Sequence, residues 1–514
     1  MSTRSGHTPA ALTFLLAISL SPALAPLLLA CQSRDDAGGV EAGSWDRYAT
    51  PEQAGWSSEA LAEARAYAEE IGSAAVMLIH DGHVVVAWGD VERRFKVHSM
   101  RKSFLSALYG THVAAGTVDL DATIGELGID DVEGLADAER EARVVDLLRA
   151  RSGVYHPAAY EPRSMQDDRP ARGSAAPGES WFYNNWDFNT LATIFRRTTE
   201  LDLFEEFEAR IARPTGMEDF SLDDTFYWLE PSKSMHPAYL FRLSARDAAR
   251  FGQLFLQDGD WNGRQLVPAD WIRESTRPQT TFENGEDGYG YMWWYYGRST
   301  EPRSRAQEYD AYAARGSGAQ IIMVAPEANV VFVHRGDTDN GDGVGTGSAF
   351  RLAGLLLEAW TGEPVAEPTF GPLEVEPFPN AQPAPPMRAA ITLTNELVRS
   401  VVGEYEIAPE LRMRIHELDG RVFAHLTGMV DAELELFPES AESWFSNAGG
   451  VHAAVQLGED GVAETVTVRV SGDTLVARRI EQSPNATRQL PGLSAQGRGD
   501  YPSRPSVEES TEGI

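Results

Sequence analysis

The stretch 96-KVHSMRKSFLSALYG-110 holds two of the three lysines in a chain of 514 residues; the third is Lys233. Elsewhere the chain uses Arg for positive charge. Lys102 follows Ser99 by three residues, and "KSFLSALYG" reads as a helix with Ser99 at or just before its start. Residues three apart on a helix share a face, so Ser99 Oγ and Lys102 Nζ can meet. A serine hydroxyl is a poor nucleophile until a base removes its proton. A buried lysine can be that base, because desolvation and nearby positive charge lower its pKa. Arginine stays protonated and cannot do this. A Ser-x-x-Lys spacing alone is a weak signal, since it also fits a lysine that simply faces solvent.

Other sites for the chemistry are harder to find. No serine lies in G-x-S-x-G, which argues against an α/β-hydrolase elbow. His98, His156, His236 and His334 could each supply a histidine base, and no spacing singles one out. No His or carboxylate cluster has metal-ligand spacing, and no phosphate-binding glycine loop is present, so neither metal nor cofactor is expected. The loop "GDTDNGDGVGTGS", with Asp337, Asp339 and Asp342, has a superficial calcium-loop look. It lacks a preceding helix and a bidentate Glu at the right distance, and reads as a polar loop.

Two segments add parts to Ser99 and Lys102. In "PGESWFYNNWDFNTLATIF", Tyr183-Asn184-Asn185 falls between a Pro-Gly turn and a helical stretch. A phenol beside a lysine amine can relay a proton, and an Asn can fix an amide or carbonyl. A partly buried aromatic cluster with Trp181 and Trp186 would explain the same residues without catalysis. In "YAARGSGAQIIMV", Gly316-Ser317-Gly318 lets a substrate carbonyl approach backbone closely. One N–H from this strand and one from Ser99 could form an oxyanion hole; a plain bulge or sheet edge would look alike.

A formal charge of −33 and a pI near 4.7 repel phosphates and anionic lipid, so nucleic-acid binding is disfavoured. At 42% hydrophobic residues the chain can build sizeable cores, and its length asks for two or more domains. Residues 1–30 read as a signal peptide, with Arg4 ahead of an apolar run. Cys31 closes "LLAC", similar to a bacterial lipobox, so lipidation of Cys31 is expected and is the one membrane attachment foreseen. Gln32 after it fits the periplasmic face of the outer membrane or the cell surface better than inner-membrane retention. With one cysteine there is no intramolecular disulfide. Residues 31–53 read as a tether and 54–362 as the main domain. Within it, "AAVMLIHDGHVVVAWGD" and "QIIMVAPEANVVFVHRG" give strand pairs that could share one sheet with helices packed on it. The middle, from Lys102 to about Gly290, reads as mostly helical and loop-like. A Pro-rich linker covers 363–392, a small antiparallel barrel or sandwich 393–482, and a disordered polar tail 483–514.

Together, Ser99-Met100-Arg101-Lys102, Tyr183-Asn184-Asn185 and Ala314-Arg315-Gly316 resemble the three motifs of the penicillin-recognising serine hydrolases, specifically the class C β-lactamase-related esterases and amidases. "SMRKSF", "YNNWDFN" and "GYGYMWW" are similar to the 6-aminohexanoate-dimer hydrolase branch. The stretch "GEYEIAPELRMRIHELDGRVFAHLTG" is similar to a lipocalin-like β-domain often appended to such enzymes. The resemblance implies an α+β fold: an antiparallel sheet flanked by helices, with an all-helical subdomain, followed by a β-barrel. It implies an acyl-enzyme on Ser99, with Lys102 taking its proton and Tyr183 assisting and protonating the leaving group. Asn185 would place Lys102 and substrate, and the N–H groups of Ser99 and Ser317 beside Gly316 would hold the oxyanion. The substrate would be a small ester or amide. A D-peptidase or β-lactamase acting on peptidoglycan or β-lactams, or a catalytically idle surface lipoprotein, are the alternatives. The third motif departs from K/H-T-G: Ala314 stands for the Lys or His and Arg315 for the Thr, which puts β-lactam hydrolysis in doubt. Arg315 could pair with a substrate carboxylate or be a packing residue.

Overall fold

Asp81 and Gly82 both have positive φ (51° and 80°), the geometry of a two-residue hairpin turn, and join strands Ser73–His80 and His83–Gly89. The computed structural model describes residues 44–480, apart from Arg303, Asp342, Glu363, Asp419 and residues 380–381, 383–387, 428–429, 449–450 and 471–472. The signal segment, Cys31 and the tail from 483 lie outside the described residues.

The hairpin sits in a ten-stranded sheet. Val330–Gly336 pairs antiparallel with Ser73–His80 (Phe332 opposite Leu78), so strands from both ends of the domain are neighbours. Gln320–Ala325, Ala311–Gly316 and Trp294–Tyr296 continue outward. Side chains alternate across it. Val76 and Leu78 face a cluster with Leu61 and Ala64 of helix Ser58–Glu70 and Leu352 and Leu356 of helix Thr346–Glu358. Met77 and Ile79 face the larger core, with helices Arg101–Ala114, Asn185–Thr199 and Ala245–Leu256. Ser57 and Ser244 cap their helices by accepting from Ala60 N and Asp247 N, as expected of Ser at those ends.

Both terminal segments of this domain are more engaged than the sequence suggests. Within the expected tether, Asp46–Tyr48 forms a strand. Within the Pro-rich linker, Phe370–Pro372 pairs with it, Asp46 opposite Pro372. Tyr48 and Phe370 rings lie 5.2 Å apart, and Phe378 is buried against the main sheet. Phe378 gives the Pro-rich stretch something to bury, which its backbone pattern does not reveal, while Phe370 packs on Tyr48 and stays exposed on its other side.

Eight antiparallel strands from Gly403–Ala408 to Asp473–Arg479 close into a barrel, the last pairing with the first (Tyr405 opposite Arg479). Met413, Val422, Trp444 and Val466 fill the interior. The barrel strand Val430–Ser440 also pairs with Thr225–Leu229 of the main domain, so one sheet runs from barrel to domain.

Candidate active site

Strand Phe95–Lys96 pairs with Ala238–Leu243, then gives way to one 3-10 turn, His98–Met100, before the Arg101–Ala114 helix. His98 has a positive φ of 49°, a sharp reversal that sets Ser99 at the helix start, partly exposed. One turn on, Lys102 is 1% exposed, and its Nζ lies 3.0 Å from Ser99 Oγ. The same nitrogen is 2.5 Å from Tyr183 Oη and donates to Asn185 Oδ1 at 2.9 Å. No carboxylate lies within 4 Å of Nζ among the described residues. Burial first, and the neighbouring Arg101 second, hold Lys102 well below the usual lysine value of 10.5. Burial raises the Tyr183 phenol, opposed by its hydrogen bond with Ser99 and by Arg101 and Arg315. Burial thus works against the ammonium form of Lys102 and against the phenolate form of Tyr183. Lys102 Nζ is in hydrogen-bond contact with all three groups, Ser99 Oγ, Tyr183 Oη and Asn185 Oδ1.

The Tyr-x-Asn segment has a local logic. Asn184 is the N-cap of helix Asn185–Thr199, accepting from Asp187 N. The cap turns the chain so that Tyr183 before it and Asn185 after it both reach Lys102. Asn185 Nδ2 in turn donates to the Tyr160 carbonyl (2.6 Å), leaving its oxygen fixed toward Nζ. Asp187, fully buried against Ser152, is pushed well above the ordinary carboxyl value by desolvation, opposed by its hydrogen bonds with Ser152 and Asn184.

Gly316 ends strand Ala311–Gly316 against the turn that holds Ser99. A Cβ there would lie 2.2 Å from the Val97 carbonyl oxygen and 3.1 Å from His98 Cβ. Only glycine lets this strand lie against the peptide that precedes Ser99. Ser317 follows, exposed, in the turn completed by Gly318 (φ 72°) and Ala319 (φ 56°). Ala314 is fully buried in the core that holds the site. The Arg315 guanidinium donates to Tyr296 Oη (2.8 Å) and lies 4.5 Å over the Trp294 ring and 5.5 Å from that of Phe350. No carboxylate lies within 4 Å of it among the described residues. Trp294 connects it to the site, with its ring 5.3 Å from that of Tyr183.

Of the four histidines considered, three have structural partners: His156 faces Glu139, His236 faces Thr193, and His334 faces Ser73 and the Ala319 carbonyl. His98 is at the site without facing Ser99 as a base. Its Nδ1 meets Tyr160 Oη (2.8 Å) and its Nε2 meets Thr338 Oγ1 (2.9 Å). Burial, with Lys96 and Arg101, lowers it to about 4, which keeps it neutral. Sequence reasoning missed Tyr160 and left His98 unresolved; the one signal was that His98 directly precedes Ser99. In the Asp-rich loop, Asp337 holds Arg93 at 2.7 Å, and Asp339 holds Arg242 at 2.8 Å and Lys96 at 3.4 Å. These carboxylates serve arginines and a lysine, and no group of three potential metal ligands occurs among the described residues.

An aromatic wall adjoins Tyr183. Trp181, Phe282 and Trp294 are each partly exposed, with Trp181 and Phe282 rings 4.9 Å apart and Trp181 and Trp294 rings 6.1 Å apart.

Residues 59–339 match the family model described as Beta-lactamase. An uncharacterized protein of Alkalihalophilus pseudofirmus is 20% identical over 295 residues, 51% of this chain and 83% of that one. A solved Bacillus anthracis protein, named as a 6-aminohexanoate-dimer hydrolase, superimposes with a TM-score of 0.44 at 21% identity, over 56% of this chain and 79% of its own. The octameric penicillin-binding protein homologue of Pyrococcus abyssi gives a TM-score of 0.43 at 15% identity, over 81% of this chain and 99% of its own.

Proposed function

The chain belongs to the Beta-lactamase family, and from that premise we propose that it is a serine hydrolase that cleaves a small ester or amide through an acyl-enzyme on Ser99. One observation carries the reading: a buried lysine amine, with no carboxylate neighbour among the described residues, 3.0 Å from a partly exposed serine hydroxyl. Lys102 takes the Ser99 proton as Oγ attacks the carbonyl carbon. The N–H groups of Ser99 and Ser317 receive the oxyanion. Collapse breaks the bond to the alcohol or amine, which leaves with the proton returned through Tyr183. Water then attacks the acyl-enzyme, giving its proton back along the same path, and frees the acid. Asn185 keeps the amine aimed.

The aromatic wall favours an apolar or aromatic group on the substrate. The buried Ala314 and the stacked Arg315 leave the third motif without its usual cation and hydroxyl, which supports esters over β-lactams. A panel of p-nitrophenyl esters, anilides and β-lactams tests this. The expected result is ester turnover with fluorophosphonate labelling on Ser99; no turnover together with no labelling would overturn the reading.

Arg315 offers a guanidinium to a substrate carboxylate. Arg315→Met is expected to raise KM for esters that carry a free carboxylate, by about tenfold, and to leave neutral esters alone. An equal fall in kcat for both would assign Arg315 to holding Trp294 instead. Export as a lipoprotein anchored through Cys31 is part of the same proposal. Cys31→Ala should abolish incorporation of a labelled fatty acid and release the protein from the membrane fraction.

A further inference from the structure

We propose that the C-terminal barrel braces the acylation site and that Tyr160 is the positioning residue through which it acts; the kinetic half of the test rests on the serine hydrolase reading.

The barrel is joined to the main domain by more than a linker. Its strand Val430–Ser440 pairs with Thr225–Leu229, Leu434 opposite Trp228. That strand pairs with Ala238–Leu243, which pairs with Phe95–Lys96, which runs into Ser99. The barrel and the strand that leads into the Ser99 turn thus share one hydrogen-bonded sheet. A buried ionic latch crosses the seam. Arg421 of the barrel binds Glu435 at 2.8 Å and Asp202 of the main domain at 3.3 Å, and the other Glu435 oxygen accepts from Tyr227 N at 3.1 Å. Buried charges are costly unless fully matched. Here the match needs groups from both parts, which fixes one docked geometry. Beside the latch, Phe226 and Leu240 of the main domain pack with Phe437 and Phe445 of the barrel.

Tyr160 and Trp228 lie at the edge of that apolar cluster, with rings 5.5 Å apart and edge to face. Tyr160 holds a positive φ of 58°, a conformation an ordinary residue keeps only when its surroundings impose it. From there it reaches the site twice. Its hydroxyl meets His98, the residue before the nucleophile, and its carbonyl accepts from Asn185, whose oxygen fixes Lys102. Asn189, one turn on, holds the adjacent Ala159 carbonyl at 3.0 Å. The Tyr160 loop is therefore clamped between helix Asn185–Thr199 and the barrel seam. Loosening the seam frees the loop, then Asn185, and lets water reach the amine. The groups around Lys102 are Ser99 and Arg101 on its own segment, Tyr183 and Asn185, Arg315 beyond Trp294, and the buried phenols Tyr239 and Tyr289 near Tyr183. None is a carboxylate, so hydration is the change that matters most.

The scarcity of lysine makes a direct test possible. Protein labelled with 13C at lysine Cε gives three signals, from Lys96, Lys102 and Lys233, and Lys102→Met identifies the relevant one. Trp228→Leu, Phe437→Ala and Tyr160→Ala are titrated beside the parent chain, with circular dichroism to show retained fold. Three variants far apart in sequence keep the test open if one does not fold. The expected result is a Lys102 midpoint that moves up toward the ordinary lysine value, with Ser99 phosphonylation at neutral pH slowed about tenfold or more. Tyr160→Phe, which keeps the ring on Trp228, should restore the midpoint. Val466→Ala, in the barrel core away from the seam, should lower stability and leave the midpoint in place. An unchanged Lys102 midpoint in all three seam variants would overturn the brace. A shifted midpoint in a protein that never labels on Ser99 would leave the brace standing and overturn the serine hydrolase reading.

Discussion

Lys102→Arg is expected to abolish acylation of Ser99, lowering the labelling rate by about 10³-fold or more, although it conserves charge. A guanidinium in the same pocket has no lone pair to offer and cannot lose its proton. It is also planar and longer than the space bounded by Tyr183, Asn185 and the Phe188 ring, whose centroid is 4.5 Å from Nζ. Lys102→Met, which fits the pocket and removes the amine, should be equally inactive. Its fold should be at least as stable at neutral pH, because an amine held below its ordinary pKa favours the unfolded chain at any pH where that chain protonates it. Rates of Ser99 phosphonylation and thermal unfolding of both variants check this. Residual labelling within tenfold of the parent in Lys102→Met would show that another group takes the proton.

Gly316→Val should be nearly as damaging by a different route. Its Cβ would fall 2.2 Å from the Val97 carbonyl oxygen, a backbone atom with no rotamer to escape by. Either the strand withdraws or the turn holding Ser99 moves. Overpacking of this kind costs about 1–3 kcal/mol, and a displacement near 1 Å at the reacting atoms costs about 10²-fold in rate. Gly316→Ala meets the same oxygen and should show the same direction. Denaturant unfolding with phosphonylation kinetics measures both effects; a variant with parental rate and midpoint would show that the strand does not abut the turn holding Ser99 in solution.

The parts of the site legible in the sequence are those set by short-range geometry. Ser99 and Lys102 meet because three residues make one helical turn, and Tyr183 and Asn185 flank a capping Asn. The hairpins at Asp81-Gly82 and at Pro326 were visible for the same reason: turn chemistry between alternating strands. What the sequence hid lies in contacts between distant segments. His98 is positioned by Tyr160 and Thr338, 62 and 240 residues away. The seam that joins Leu434 to Trp228 has no local signature, and neither does the pairing that draws Asp46–Tyr48 and the Pro-rich segment onto the sheet edge. Lys96 shows the limit of reading by residue type. It is as rare as Lys102 and as close to Ser99 in sequence, yet it faces Asp339, whose carboxylate it shares with Arg242. What separates the surroundings of the two lysines is one carboxylate, supplied to Lys96 from a loop more than two hundred residues on.

Activation of Ser99 by a neutral Lys102 sets the pH dependence of Ser99 phosphonylation, and that profile is the measurement to make. Rate should fall as pH falls through the Lys102 pKa, because the ammonium has no lone pair. Since burial depresses that pKa, the acid limb should lie well below 10.5, with the plateau extending upward until Tyr183, raised above its ordinary 10.0, loses its proton. A limb at the ordinary lysine value, or a limb that vanishes in His98→Gln while the rate persists in Lys102→Met, would contradict the account.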